Sequence, residues 1–203
     1  MKHIFKKSKT DNEITLLLLH GTGGTEHDLL SLAQIIDPTV SILSVRGNVL
    51  ENGMPRFFRR LAEGVFDEED LVFRTKELND FITEAANEYG FKRDRVIALG
   101  YSNGANIAAS LLYHYKDALH GAILHHPMVP IRGLELPNLS GTNVFISAGK
   151  IDPICPPQES EELNSTLAQA GADVELYWTN GGHQLTHDEL NRAKQWYDEN
   201  FKR

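Results

Sequence analysis

The feature that most constrains the fold is an alternation along the chain between short apolar runs and longer segments with helical periodicity. The runs ITLLLLH, from Ile14, and NVFISA, from Asn143, are almost continuously apolar, as are strands that are covered on both faces. Such runs separated by helical segments are typical of parallel βαβ units. The pattern therefore predicts an α/β fold with a mostly parallel, doubly wound sheet of about seven strands.

The individual elements follow from the same alternation. Strands are predicted at residues 2–5, 14–20, 40–45, 95–100, 118–125, 143–148 and 174–179, and helices at residues 28–36, 67–89, 103–115, 157–170 and 186–201. The helix 67–89 has an acidic first turn and a glycine after its end. The last helix begins with Thr186 and has Glu189 three residues later, which is the pattern of a capping box.

One long segment does not fit either period. Residues 46–66, RGNVLENGMPRFFRRLAEGVF, have no clear periodicity, and an irregular stretch of this length inside a compact domain is usually functional. We therefore expect residues 1–203 to form a single domain with no separate lid domain, and the irregular segment 46–66 to border the active site.

Composition excludes several classes of function. The longest apolar run is far below the ~18 to 20 residues of a membrane span, and the basic N-terminus lacks the apolar region of a signal peptide. We therefore expect a cytoplasmic protein that does not insert into membranes. The formal net charge of −8 argues against nucleic acid as a partner, whereas a small-molecule substrate fits the composition. The oligomeric state is left open, with a homodimer among the alternatives.

The stretch GYSNGAN contains a G-x-S-x-G motif centred on Ser102. It follows the predicted strand RVIALG and precedes a predicted helix, which is the context of a nucleophile elbow. Gly100 and Gly104 leave room for a tight turn and for close approach of strand and helix. The alternative is that Ser102 is an ordinary helix N-cap. We favour the interpretation of Ser102 as a nucleophile.

A serine hydroxyl needs a base within hydrogen-bond reach and a carboxylate that orients the base. Asp152 follows the strand NVFISAG, and His183 follows the strand VELYW. Their order after Ser102 is the α/β-hydrolase order, and each lies at the carboxyl end of a strand. We predict this catalytic triad. The rivals are Glu135 and Asp173 for the acid, and His187, His125 and His126 for the base.

A glycine-rich stretch, HGTGG, directly follows the first buried strand. Such a turn can present a backbone N–H to the oxyanion that develops during acyl transfer. We assign the oxyanion donors as the backbone N–H groups of Thr22 and Asn103. Asn103 also begins a helix, whose positive end favours negative charge.

The substrate pocket is predicted from apolar residues near these motifs. Phe57 and Phe58, in the irregular segment, and Met128, after the strand GAILHHP, are the candidate walls. Solvated aromatic anchors are the alternative for the two phenylalanines.

Three histidines and one cysteine are of residue types that also bind metals or take part in redox chemistry. His20, His125 and His126 lack the fixed spacing of zinc ligands, so we predict no metal, and His20 is expected to hydrogen-bond the oxyanion turn. Cys155 is interpreted as a small buried residue, because a redox sensor needs exposure and a lowered pKa.

The four motifs HGTGG, GYSNGAN, GKIDPICPP and NGGHQLT resemble the carboxylesterase and phospholipase branch of the α/β-hydrolases, which includes acyl-protein thioesterases. With RGNVLENGMPRFFRRLAEGVFDEEDL and LHHPMVP, the chain resembles more closely the group of methylhydroquinone-inducible hydrolases. The resemblance covers about residues 14–197 and implies a single-domain α/β-hydrolase fold and a cytoplasmic serine carboxylesterase without a cofactor. Acyl-protein thioesterases usually carry glutamine where this chain has Asn103.

The resemblance and the motifs together predict hydrolysis of small carboxylic esters through an acyl-enzyme intermediate. A thioesterase or a lactone hydrolase would use the same triad, and a ligand-binding module without activity would use the same fold. The motifs do not separate these alternatives.

Overall fold

The computed structural model describes residues 1–202. Its elements are, in chain order, β1 (His3–Lys6), β2 (Thr15–Leu19), α1 (Leu30–Ile36), β3 (Ser41–Val45), β4 (Val49–Glu51), β5 (Met54–Arg56), β6 (Arg60–Ala62), β7 (Val65–Phe66), α2 (Glu68–Tyr89), a short 3₁₀ turn (Arg93–Arg95), β8 (Val96–Tyr101), α3 (Asn103–His114), β9 (Gly121–His125), β10 (Asn143–Gly149), α4 (Pro157–Gln169), β11 (Asp173–Thr179) and α5 (His187–Phe201).

Seven of the strands form one sheet in the order β1-β3-β2-β8-β9-β10-β11. Every neighbouring pair is parallel except β1 and β3, which are antiparallel. Because the parallel strands point the same way, their carboxyl ends lie along one edge of the sheet. That edge is where ligands bind in open α/β sheets.

Helices cover both faces of the sheet, and the alternation of side chains along β2 shows how. Leu17 and Leu19 belong to the core cluster that also contains side chains of α2, α3 and α4, whereas Leu16 and Leu18 belong to the cluster that contains side chains of α1 and α5. All four leucines are fully buried. A strand buried on both faces reads as the continuous apolar run seen in the sequence.

The seven strands and five helices predicted from the sequence are all present, with bounds that differ by a few residues at most. The predicted mostly parallel, doubly wound sheet is confirmed. Within residues 1–202, every helix is too short or too polar to pass through a bilayer.

The prediction that residues 46–66 are irregular was wrong, because the segment contains two β-hairpins. The strands β4 and β5 pair through a two-residue loop, and β6 pairs with β7. The loop residues Asn52 and Gly53 have positive φ values of 51° and 79°, as the primed hairpin turns require. Strands of two or three residues are too short to show a periodicity, so only the Asn-Gly pair marked the first hairpin in the sequence.

Candidate active site

Ser102 lies on a strained turn between β8 and α3. Its backbone has φ 51° and ψ −115°, and its side chain makes no cap bond to α3. Its N–H donates to the His125 carbonyl oxygen at 2.9 Å, which ties the turn to the neighbouring strand β9. A side chain at Gly104 would place its Cβ 1.9 Å from the Leu19 carbonyl oxygen, so only glycine permits α3 to approach β2 this closely. The turn exposes a serine hydroxyl that is not used as an N-cap.

The hydroxyl of Ser102 faces His183, in the loop between β11 and α5. The distance from Ser102 Oγ to His183 Nε2 is 2.9 Å, and His183 Nδ1 lies 2.8 Å from Asp152 Oδ2. The Tyr101 hydroxyl donates to the His183 carbonyl oxygen at 2.8 Å and so helps to fix the loop. The structure therefore brings the three predicted triad residues together in the hydrogen-bonding order that serine hydrolysis needs.

The Asp152 carboxylate is held from both sides. Its side chain is fully buried, and Oδ1 accepts hydrogen bonds from the backbone N–H groups of Ile154 and Cys155 at 2.8 and 2.9 Å. Burial opposes ionisation, but these donors and His183 outweigh it and lower the pKa of Asp152 below its usual range. Asp152 is therefore an ionised acceptor for His183 at neutral pH.

The rivals for the acid lie elsewhere. Glu135 and Asp173 are exposed, and Asp173 is the first residue of β11, at the end opposite the one that His183 follows. Of the rival bases, His187 is exposed on α5, and His125 Nδ1 faces the Ser147 hydroxyl at 2.7 Å. Although the His125 carbonyl oxygen accepts from the Ser102 N–H, the hydroxyl of Ser102 hydrogen-bonds to His183 and to none of these four side chains.

The two predicted oxyanion donors lie beside the nucleophile. Thr22 and Asn103 line the same cavity as Ser102. Among residues 1–202, neither backbone N–H donates to another protein group. Asn103 is the first residue of α3, where backbone N–H groups have no partner within the helix. Two free donors therefore lie where the oxyanion of an acyl transfer could be bound.

The hairpin β4–β5 and the residues after it hold the side chains of both donor residues. Arg56 Nη1 donates to Thr22 Oγ1 at 2.6 Å, and the Phe57 N–H donates to Asn103 Oδ1 at 2.7 Å. The Gly23 N–H also donates to the Pro55 carbonyl oxygen at 2.9 Å. Residues 46–66 thus contact the oxyanion turn and the start of α3 directly.

The cavity beside Ser102 has a volume of about 370 Å³. Met128, a predicted wall, lines it, together with Arg56, Arg60, Phe66 and Ile154. The side chain of Phe66 belongs to the second hairpin. The residues Phe66, Met128 and Ile154 of this wall therefore come from three separate segments of the chain.

The expectation that Phe57 and Phe58 wall this cavity is not met. Their exposed fractions are 1% and 0%, and neither lines it. The Phe57 ring lies 4.8 Å from the His20 ring, and the Phe58 ring packs edge-on against Phe66 at 5.0 Å. Both rings belong to the hydrophobic core, where they are removed from water. They contact residues that border the site, such as His20 and Phe66, rather than the cavity itself.

His20 supports the oxyanion turn as predicted. Its Nδ1 lies 2.6 Å from the Gly21 carbonyl oxygen, and its Nε2 accepts from the Gly47 N–H at 3.1 Å. Burial lowers the pKa of His20, so the ring is neutral, with its proton on Nδ1. It therefore joins the turn after β2 to the start of the segment 46–66.

Two residues that sequence reasoning did not assign to the site lie behind Asp152. His126 and Glu189 are fully buried, His126 Nδ1 lies 3.1 Å from Asp152 Oδ2, and His126 Nε2 lies 2.9 Å from Glu189 Oε1. The capping-box pattern and the histidine pair in LHHP were visible in the sequence. Neither indicated that Glu189 turns inward or that His126 meets Asp152.

His126, Asp152 and His183 also form a cluster with the residue types of a metal site. Their ligand atoms lie within 4.8 Å of one another. However, both Nδ1 atoms face one oxygen of Asp152 at hydrogen-bonding distance, and His183 Nε2 faces the serine. We therefore interpret the cluster as a hydrogen-bonded histidine–carboxylate network.

Cys155 is a small buried residue, as predicted. Its exposed fraction is 4%, and its Sγ donates to the His126 carbonyl oxygen at 3.3 Å. Burial raises the pKa of the thiol, whereas a reactive cysteine has a lowered pKa.

The contacts of Glu189 make the free energy of unfolding depend on pH in the acidic range. The predicted capping box is present, with the Thr186 side chain accepting from the Glu189 N–H and the Glu189 carboxylate accepting from the Thr186 N–H. Burial opposes ionisation, but the contacts to His126 and Thr186 outweigh it and lower the pKa of Glu189 from 4.5 to about 2. A lowered carboxyl pKa contributes stability that is present above the unfolded-state pKa and is lost as the pH falls through the folded-state pKa.

Glu189→Gln is therefore expected to make the free energy of unfolding less dependent on pH between 4.5 and about 2. Glutamine keeps the hydrogen bonds of a capping box but cannot titrate. Urea unfolding at several pH values in this range measures the slope. Glu161→Gln, at an exposed position on α4, is the control and should follow the wild type. Equal slopes in wild type and Glu189→Gln would contradict the assignment.

The chain is similar to a known protein family and to several solved structures. A model of the phospholipase/carboxylesterase family matches residues 2–200. MhqD of Bacillus subtilis, whose name describes it as a hydrolase, is 66% identical over 98% of both chains. The crystal structure of a Bacillus cereus carboxylesterase is 66% identical, with a TM-score of 0.98 over 99% of this chain and 95% of that one. The structure of YahD with malic acid is 35% identical, with a TM-score of 0.93 over 98% of both.

Proposed function

This chain belongs to the phospholipase/carboxylesterase family of α/β-hydrolases, and from that premise we propose that it is a serine carboxylesterase that cleaves small carboxylic esters through an acyl-enzyme intermediate. The observation that carries the proposal is the continuous chain of contacts from Ser102 Oγ through both nitrogens of His183 to Asp152. The free N–H groups of Thr22 and Asn103 lie beside this chain.

In the acylation step, His183 Nε2 accepts the proton of Ser102 as Oγ attacks the ester carbonyl carbon. The carbonyl oxygen becomes an oxyanion, and the Thr22 and Asn103 N–H groups donate to it. The protonated His183 is stabilised by the ionised Asp152. When the tetrahedral intermediate collapses, His183 gives its proton to the leaving alcohol, and the acyl group stays on Ser102.

In the deacylation step, water takes the place of the alcohol. His183 Nε2 accepts a proton from the water as its oxygen attacks the acyl carbon, and the same two N–H groups bind the second oxyanion. Collapse releases the carboxylic acid and returns the proton from His183 to Ser102 Oγ. The protein ends the cycle unchanged, and its own residues make every proton transfer in it.

The size of the cavity supports small substrates. About 370 Å³ beside Ser102 is at the lower end of the range of ligand pockets. Phe66, Met128 and Ile154 supply apolar wall, while Arg60 and Glu63 make another part of it charged. A short acyl chain against the apolar wall fits this lining.

A panel of acyl esters, thioesters and lactones of matched acyl length tests the proposal. The expected result is a kcat/KM for short-chain esters that exceeds the values for the other two classes. A preference for thioesters or lactones would assign the triad to that bond instead. Binding of these compounds without turnover of any of them would favour a ligand-binding module.

Phe66→Ala is expected to move the preferred acyl chain of p-nitrophenyl esters to a greater length. In the wild type, activity should rise from acetate to about butyrate, because each buried methylene contributes ~0.8 kcal/mol, or about fourfold in kcat/KM. It should then fall when the chain meets the wall. Removing the Phe66 ring opens that wall.

The measurement is kcat/KM across a series of chain lengths. Phe73→Ala, which removes an exposed ring on α2, is the matched control and should leave the series unchanged. A wild-type preference for long chains such as laurate would show that the cavity continues as a channel, and the prediction would then be wrong.

A further inference from the structure

His126 occupies an unusual backbone position directly after β9. Its φ is 52°, a left-handed conformation that few residues other than glycine and asparagine adopt readily. Its N–H donates to the Ser147 carbonyl oxygen at 2.8 Å, and its carbonyl oxygen accepts from Cys155 Sγ. The backbone N–H of His126 is therefore bonded to the sheet, and its carbonyl oxygen is bonded to the loop that carries Asp152.

The ring of His126 spans the gap between two carboxylates. Nδ1 lies 3.1 Å from Asp152 Oδ2, and Nε2 lies 2.9 Å from Glu189 Oε1. Glu189 is itself fixed, because Oε1 accepts from the Ser147 hydroxyl at 2.9 Å and Oε2 accepts from the Thr186 N–H at 2.8 Å. The ring thus lies between Asp152 and the start of α5 among buried groups, with hydrogen-bond geometry at Nδ1 and, within residues 1–202, a close contact without such geometry at Nε2.

The contact to Asp152 has a consequence for His183. Both Nδ1 atoms face the same oxygen, Asp152 Oδ2, at 2.8 Å for His183 and 3.1 Å for His126. Oδ1 is already bonded to two backbone N–H groups. Each additional donor to a carboxylate reduces the negative charge that the oxygen offers to its other partners.

We propose that His126 is a positioning residue for the ester hydrolysis proposed above: it donates Nδ1–H to Asp152, holds that carboxylate in place, and limits how strongly Asp152 binds the His183 ring. Without this donor, Asp152 would be a stronger acceptor for His183 alone. The protonated form of His183 would be stabilised, and the base would become available only at a higher pH. This inference rests on the proposed function for its kinetic readout but not for its spectroscopic one.

The titratable groups around the two rings are two carboxylates and three groups that are uncharged at neutral pH. They come from four different parts of the fold and are Tyr101, His125, Asp152, Cys155 and Glu189. Burial raises the pKa of Tyr101 and of Cys155 and lowers that of His125 to about 4, so these three are uncharged at neutral pH. The carboxylates Asp152 and Glu189 remain, and His126 contacts both.

Two variants of His126 distinguish a role of its hydrogen-bond donor from a role of its ring in packing. His126→Gly permits the left-handed backbone but lacks the donor. His126→Asn also tolerates that backbone, and its amide nitrogen can take the place of Nδ1, since both are attached to Cγ. The kinetic readout is the pH dependence of kcat/KM for p-nitrophenyl acetate, and the spectroscopic readout is the titration of the His183 ring by NMR.

In His126→Gly we expect the acidic limb of the pH profile to move upward by on the order of one pH unit, which below the limb is about a tenfold loss of kcat/KM. His126→Asn should recover most of this shift. The NMR midpoint of His183 should move in the same direction in the glycine variant.

An unchanged acidic limb in His126→Gly, or an equal shift in both variants, would overturn the proposal. If the protein turns over no ester at all, the proposed function fails, but the His183 titration still decides the role of His126. Should the glycine variant not fold, His126→Ala makes the same comparison, because it also lacks the donor.

Discussion

Replacement of Ser102 by alanine is expected to lower kcat for p-nitrophenyl acetate by about 10⁶-fold, because loss of the nucleophile of a serine triad costs about that much. The hydroxyl that faces His183 at 2.9 Å is the only group removed. Alanine keeps a Cβ at the same strained φ, so the turn itself should not change its conformation. A progress curve with the variant at high concentration measures the residual rate.

The control for this substitution is Ser165→Ala, at an exposed position on α4, which should retain wild-type activity. Circular dichroism and thermal unfolding show whether the Ser102 variant is folded. A folded Ser102→Ala variant with activity within about tenfold of the wild type, a loss far too small for removal of a triad nucleophile, would exclude Ser102 as the nucleophile.

Asp152→Asn is expected to lower kcat by on the order of 10⁴ while the fold survives. An asparagine amide group facing His183 Nδ1 would stabilise the ring with its proton on Nε2, and that tautomer cannot accept a proton from Ser102. The substitution also removes the ionised partner that stabilises protonated His183. Steady-state kinetics of the purified variant measure the effect.

Asp173→Asn is the matched control, since Asp173 is exposed at the other end of β11. It should leave kcat unchanged. The opposite outcome, with Asp152→Asn near wild type and Asp173→Asn impaired, would show that the acid was assigned to the wrong residue.

The sheet and the meeting of the three candidate triad residues could be predicted because their signals are local and regular. The strand β2 is buried at every position and apolar at all but Thr15, because helices cover both faces of the sheet. Parallel strands also have their carboxyl ends at one edge. Three polar residues that each follow a strand, namely Ser102, Asp152 and His183, were therefore expected at one place without knowledge of the tertiary contacts.

The direction of side chains in irregular segments could not be predicted. Phe57 and Phe58 lie between two short hairpins, where no periodicity indicates which way a ring points, and both rings turn into the core. The useful contribution of Phe57 is its backbone N–H to Asn103. Every residue type has such a group, so the sequence carries no signal for it.

The positions of His126 and Glu189 behind Asp152 were not predicted, for a different reason. Glu189 was recognised as part of a capping box, which is satisfied locally and gives no sign of a second, long-range role. His126 and Glu189 are 63 positions apart in the chain, and the packing of α5 against the sheet brings them together. Contacts of this kind depend on the tertiary fold.

Labelling with a fluorophosphonate probe, followed by mass spectrometry of the digested protein, tests directly whether Ser102 is the activated nucleophile. The expected result is one adduct per chain, located on Ser102, which is absent in Ser102→Ala and forms much more slowly in Asp152→Asn. An adduct on another residue, or undiminished labelling of Ser102→Ala, would contradict the assignment of this site as the centre of a serine hydrolase.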